Sequence, residues 1–112
     1  MTIYHLANRP TWDAAQASGA YHGSPDDQRD GFIHFSTAAQ VAGSAAKHRA
    51  GQPDLLLLRV DADTLGDALR WERSGSGDVY PHLYAPLPTH VVRRVDALPL
   101  DDAGQHEFPA LD

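Results

Sequence analysis

The chain contains no cysteine, which excludes a disulfide framework, a thiolate zinc site and a cysteine nucleophile together. It also lacks a long hydrophobic run. The longest, Leu55–Leu58, has the length of a strand and falls far short of the roughly 18 apolar residues that cross a bilayer. The N-terminus does not show the basic-then-apolar layout of a secretory leader. These absences lead us to expect a cytoplasmic protein without a membrane segment. Positive charge is scarce too: nine Lys and Arg stand against fifteen Asp and Glu, for a net charge of −6. An acidic surface repels phosphate backbones, which argues against a nucleic-acid partner. A small anionic ligand stays open if a local arginine faces it.

What is present is enough for one core. The chain has 112 residues, 42 % of them hydrophobic, as in an ordinary globular domain. The sequence predicts a first strand at Thr2–Leu6, a break at Asn8–Pro10, and a helix over Thr11–Ser18 ended by Gly19. His22–Asp30 reads as a polar loop. Gly31–Ser36 reads as a second strand, with Phe32, His34 and Ser36 on one face and Ile33 and Phe35 on the other. Thr37 and Gln40 form a capping box for a helix whose Ala38, Val41, Ala42 and Ala45 follow helical spacing. Leu55–Val60 is a continuous apolar strand, hence central and buried on both faces. Asp61–Asp67 reads as a turn or one helical turn, Leu69–Glu72 as a strand and Ser74–Asp78 as a loop. The proline-rich Pro81–Pro88 segment reads as irregular, because proline lacks the N–H that a ladder needs. Val91–Val95 is a last strand. The whole is an α+β domain over residues 1–99, a small mixed, mostly antiparallel sheet with two main helices. Residues 100–112 read as an acidic, mobile tail.

The chain has no standard phosphate-binding, zinc-protease or serine-hydrolase motif. Its chemistry must come from polar residues in apolar contexts. His5 lies between Tyr4 and Leu6, and His34 between Ile33 and Phe35. A polar side chain inside a strand must be hydrogen-bonded, functional or exposed. His82 stands in a proline-braced segment with Tyr84. Ser36 follows His34 on the same face and also suits the outer cap of the next helix. Glu72, between Trp71 and Arg73, fits either a solvated charge or a site carboxylate. Trp12, Tyr21 and Trp71 read first as packing residues, and His22, His48, His90 and His106 as surface residues.

The segments Ile3-Tyr4-His5, Gly31-Phe32-Ile33-His34-Phe35-Ser36 and Pro81-His82-Leu83-Tyr84, with Trp12, Gly19, Tyr21 and Glu72 between them, resemble the bacterial domain-of-unknown-function family 952 over residues 2–98. More distantly, a strand bearing Tyr-His, a helix with Trp, and a strand ending His-hydrophobic-Ser resemble the ADP-ribosyltransferase superfamily, in particular its RNA 2′-phosphotransferase branch. That resemblance implies an ADP-ribosyltransferase-like core with NAD as a substrate. His5 would meet the adenosine ribose, His34 with Ser36 would line the nicotinamide pocket, and Glu72 or His82 would complete the site. Breaking the nicotinamide–ribose bond resembles glycoside hydrolysis and needs a charge-stabilising group. Tyr84 or Tyr21 would wall the nicotinamide, and Arg9 would hold the pyrophosphate.

Three readings follow. One is a transferase acting on NAD, ADP-ribose or a related nucleotide. Another is a non-catalytic module that binds a ligand or partner. The third is a zinc or iron site of His5, His34, His82 and Glu72, although no i, i+4 pair anchors it. The composition sets no oligomeric state. Convergence of His5, His34 and His82 in one cleft is the geometric requirement of the first reading.

Overall fold

The computed structural model describes all residues, Met1–Asp112. The strongly apolar strand β4 (Leu55–Asp61) lies at the centre of a three-stranded sheet, between β1 (Thr2–Asn8) and β8 (Val92–Leu98). Its alternation divides the core. Leu56, Leu58 and Val60 face one apolar cluster with Ile3, Trp12 and Phe35. Leu55 and Leu57 face a second, with Tyr4, Val41 and Leu98. A strand buried on both sides has no room for polar residues except where one finds partners. Arg59 is that exception.

Helix α1 (Arg9–Ser18) covers the first cluster through Trp12 and Ala15. Its Asn8 cap accepts from the Thr11 N–H at 3.1 Å, so the residues expected to break the strand in fact start the helix. A short strand β2 (Ala20–Tyr21) follows, pairing with a later one (Leu87–Pro88). The segment read as a polar loop contains a helix, α2 (Pro25–Asp30), with a complete capping box between Ser24 and Asp27. The signal was legible as Ser-Pro-Asp-Asp, a cap residue, a proline in the first turn and an acid three residues on.

The second sheet is built from β3 (Ile33–His34), β5 (Leu69–Arg73) and β6 (Val79–Leu83), in the order β3-β6-β5. Every strand pairing in the fold is antiparallel. Pro81 and His82 are therefore part of a ladder, not of an irregular segment. The Pro81 carbonyl accepts from the Phe35 N–H at 3.0 Å. Its nitrogen, which carries no N–H, faces that same side, so the missing donor falls just past His34, where the β3 ladder ends. The next residue of the chain crosses over: Ser36 and Tyr4 exchange backbone hydrogen bonds of 2.8 Å each, which joins the two sheets. Helix α3 (Val41–His48) then packs Val41 and Ala45 inward. Only half of its expected capping box forms: the Gln40 side chain accepts from the Thr37 N–H at 3.0 Å.

The segment after Pro99, expected to be mobile, lies packed along the sheet. Phe108 and Leu111 cover the second cluster. Arg59 donates to the Asp112 carboxylate and to the Ala110 carbonyl, both at 2.7 Å, and the Tyr4 hydroxyl lies 2.9 Å from the same carboxylate. Buried Arg59 needs these acceptors, and the acidic tail supplies them. Truncation after Pro99 is expected to lower stability by about 2 kcal/mol through lost apolar cover alone. A urea titration of the truncated chain with an unchanged midpoint would contradict this. No helix is long and apolar enough to cross a membrane.

Candidate functional site

Paired strand positions put His34 directly opposite His82. In an antiparallel pair, residues in register share a face, so both rings leave the sheet on the same side, with centroids 5.5 Å apart. Phe32 stacks on His82 at 4.1 Å and meets His34 edge-on at 4.5 Å. Both histidines line a cleft of about 800 Å³ bounded by α2, α3 and the β5–β6 hairpin, and His5 and Ser36 line it too. The three histidines thus converge.

Their environments differ, and the differences fix their proton positions. His5 is buried, with its Nδ1 2.6 Å from the His34 carbonyl and its Nε2 2.7 Å from the Tyr21 hydroxyl. A carbonyl only accepts, so Nδ1 carries the proton and Nε2 accepts from Tyr21. Burial pushes the His5 pKa below its ordinary value, against the opposing charge of Asp27. Burial also raises Tyr21.

His34 is held by carboxylates on both sides. Its Nδ1 lies 2.5 Å from Asp27 Oδ1, and its Nε2 lies 3.2 Å from Asp30 Oδ2. The bond to Asp27 outweighs partial burial and raises the His34 pKa, with further help from the Asp27, Asp30 and Asp26 charges. Asp27 itself is buried. Burial opposes its ionisation, but the bond from His34, the nearby His5 and the Ser24 and His34 backbone N–H groups hold its pKa well below the carboxylate range. Its two oxygens accept from Ser24 N–H at 2.7 Å and His34 N–H at 3.1 Å. Gly23 makes room for it: a Cβ there would lie 2.6 Å from the Asp27 Cβ, at a φ of +90°.

His82 is oriented differently. Its Nδ1 donates to Glu72 Oε1 at 2.9 Å, and the Tyr84 hydroxyl donates to the same oxygen at 2.6 Å. These bonds, Tyr84's first and His82's second, lower the Glu72 pKa. With the proton placed on Nδ1, Nε2 of His82 keeps its lone pair and makes no hydrogen bond within the protein. Glu72 and Tyr84 do not line the cleft and reach it only through His82.

The family model described as "Protein of unknown function (DUF952)" matches residues 6–95. The chain belongs to this family. The crystal structure of protein CC0527 from Caulobacter crescentus is similar to it at a TM-score of 0.92 and 45 % identity, over 96 % of this chain and 94 % of that one. The solution NMR structure of CC0527 is similar at a TM-score of 0.84 and 46 % identity, over 93 % and 90 %. No curated protein matches.

In this DUF952 domain, three expected ligand contacts lie elsewhere. Arg9 pairs with Asp54 at 2.9 Å on the exposed surface and does not line the cleft. Its position just after the first strand puts it at the far end of β1, since the strand runs on to Asn8. Tyr21 is buried against Trp12 and His5 and has no face left for a ligand. Tyr84 is exposed, beneath Arg70, and borders a smaller cavity on the other side of Phe32. Ser36 reaches the cleft and lies 3.0 Å from Ser44 of α3, hydroxyl to hydroxyl. No group of three or more His, Asp or Glu side chains is arranged to hold a metal ion.

The residues that sequence reasoning missed are acidic and basic ones from the presumed loop. Asp27 and Asp30 lie on one side of α2, and Arg49 from the end of α3 meets Asp26 at 3.6 Å. The folded protein's histidines set opposite pH slopes. His34 has a folded pKa above its ordinary 6.5, so its stabilisation is complete below that pH and is lost as pH rises through the folded value. His5 has a folded pKa below 6.5, so the unfolded chain takes its proton first and stability falls as pH drops through that range. Stability of the DUF952 domain is therefore expected to peak near neutral pH. Urea midpoints measured across pH 5 to 9 should show the peak, and His34→Gln should remove the decline on the alkaline side; a decline that persists in the variant would rule out His34 as its source.

Proposed function

We propose that the cleft binds a nucleotide-class ligand, NAD or ADP-ribose, and that His34 and His82 serve ADP-ribosyl or glycosyl-type transfer within it. The observation that carries this reading is the facing pair of histidines with unlike proton arrangements. His34 turns both ring nitrogens to carboxylates, which favour its protonated form, suited to bind an anionic or electron-rich group of the ligand. His82 offers a free Nε2 lone pair, suited to take the proton from an attacking hydroxyl or water. Glu72 would then stabilise the imidazolium that forms on His82, as a positioning residue rather than a contact. The cleft volume falls in the range of small-molecule sites. Ser36, beside His34, supplies a hydroxyl to the same wall, and His5 holds the His34 backbone in place instead of meeting the ligand.

Calorimetric titration with NAD and with ADP-ribose, coupled to chromatography of released nicotinamide, tests the proposal. Heat with both ligands and nicotinamide from NAD alone is the expected result. Absence of heat from either ligand at millimolar concentration overturns it. A second reading, a binding module without turnover, draws on the saturation of both His5 and His34 by groups of the protein itself. It predicts heat without nicotinamide release.

A further inference from the structure

The α2–α3 end of the cleft contains more positive charge than the chain's balance would suggest. Arg29, Lys47 and Arg49 line it beside His34. Most of this charge is already answered by α2. Arg49 lies 3.6 Å from Asp26, Arg29 lies 3.3 Å from Asp26 and 3.2 Å from Asp30, and Asp30 also covers Nε2 of His34. Lys47, the only lysine in the sequence, has no carboxylate within ion-pair distance. It stands one turn beyond Ser44, the residue bonded to Ser36, on the cleft side of α3.

The Asp26 and Asp30 side chains are 51 % and 36 % exposed and make only solvated pairs. Such pairs are weak and exchange readily for a better anion. His34 Nε2 and Arg49 are the most sheltered donors at this end, and a phosphate offers them the same oxygen geometry with more charge.

We propose that His34, Lys47 and Arg49 form the subsite for a phosphate or pyrophosphate group, and that the Asp26 and Asp30 carboxylates stand in for that group while no ligand is bound. The proposal rests on the ligand-binding reading of the cleft and identifies which part of the ligand His34 meets. Asp30 is then an internal competitor. Removing its charge strengthens anion binding, where loss of a structural ion pair would weaken it or leave it unchanged.

The test is calorimetry at fixed low salt with inorganic pyrophosphate, ADP-ribose and adenosine on the wild-type chain, Asp30→Asn and Lys47→Ala. Both positions are exposed, so the fold should survive, and thermal melts check it. Asp30→Asn should bind pyrophosphate and ADP-ribose roughly three- to tenfold more tightly, and Lys47→Ala several-fold more weakly, with adenosine unaffected by either. Unchanged or weaker pyrophosphate binding in Asp30→Asn overturns the inference, as does unchanged binding in Lys47→Ala. If ADP-ribose binds the wild-type chain but ignores both substitutions, the subsite fails and the cleft reading stands. If neither ADP-ribose nor adenosine binds any of the three proteins, both fail.

Discussion

Asp27→Ala is expected to destabilise the fold by about 3–5 kcal/mol, because a buried carboxylate that answers several donors is lost and each unanswered donor costs about 1–3 kcal/mol. A domain of this size has about 5–15 kcal/mol in total, so the variant should be near unfolding at ambient temperature. Three donors lose their acceptor at once: the Ser24 N–H, the His34 N–H and the His34 ring. The first two cannot move, since one caps α2 and the other belongs to β3. Asp27→Asn should cost less, because one amide oxygen can still accept, but the amide group would present a donor to a ring nitrogen that is itself protonated. Combining Asp27→Asn with His34→Gln should recover part of the loss, because two amides can pair donor to acceptor where the amide and the ring N–H cannot. Urea unfolding of the four proteins measures this coupling. Strict additivity would show that Asp27 acts on α2 alone and does not hold His34.

The second large effect concerns His82. His82→Gln should reduce nicotinamide release by about 100-fold or more, the usual scale for loss of a general base, while leaving the affinity for ADP-ribose within about threefold. Glutamine keeps a donor for Glu72 but has no lone-pair nitrogen to accept a proton. Glu72→Gln should give a smaller fall in rate and shift the pH profile, because it removes the charge that stabilises the imidazolium and leaves the ring in place. Equal loss of affinity and rate in His82→Gln would make His82 a ligand contact rather than a base. Full turnover in that variant would remove His82 from the chemistry altogether. Tyr84→Phe separates a third case: it deletes one of the two donors on Glu72 Oε1 without touching the cleft.

Local physical chemistry accounts for much of what the sequence announced. Six consecutive apolar or long residues at Leu55–Val60 can be satisfied only between two clusters, and β4 sits there. Gly19 ends α1 because the αL conformation costs glycine nothing. The alternation of Phe32, His34 and Ser36 against Ile33 and Phe35 already placed the polar residues of β3 on one side. The misreadings have equally local causes. Treating Ser24–Asp27 as loop composition ignored its capping geometry. Treating Pro81 as a strand breaker ignored that a ladder may end on the side its nitrogen faces. The packing of the tail follows from Arg59, whose charge inside β4 reaches Asp96 in the sheet and finds further acceptors at Ala110 and Asp112.

The sequence by itself therefore determined the central strand, the two main helices, the inner and outer faces of the strands it showed, the family and the three histidines worth following. Tertiary structure decided the state of each histidine. Composition cannot tell His5, buried and neutral between a carbonyl and a phenol, from His34, clasped by two carboxylates, or from His82, turned by Glu72 to leave one nitrogen free. Those states depend on partners between 4 and 29 positions away in the chain, brought within hydrogen-bond distance by strand register and by the turn at Gly31. Hydrogen bonds and desolvation act over a few ångströms of space, and only the fold converts sequence separation into such distances.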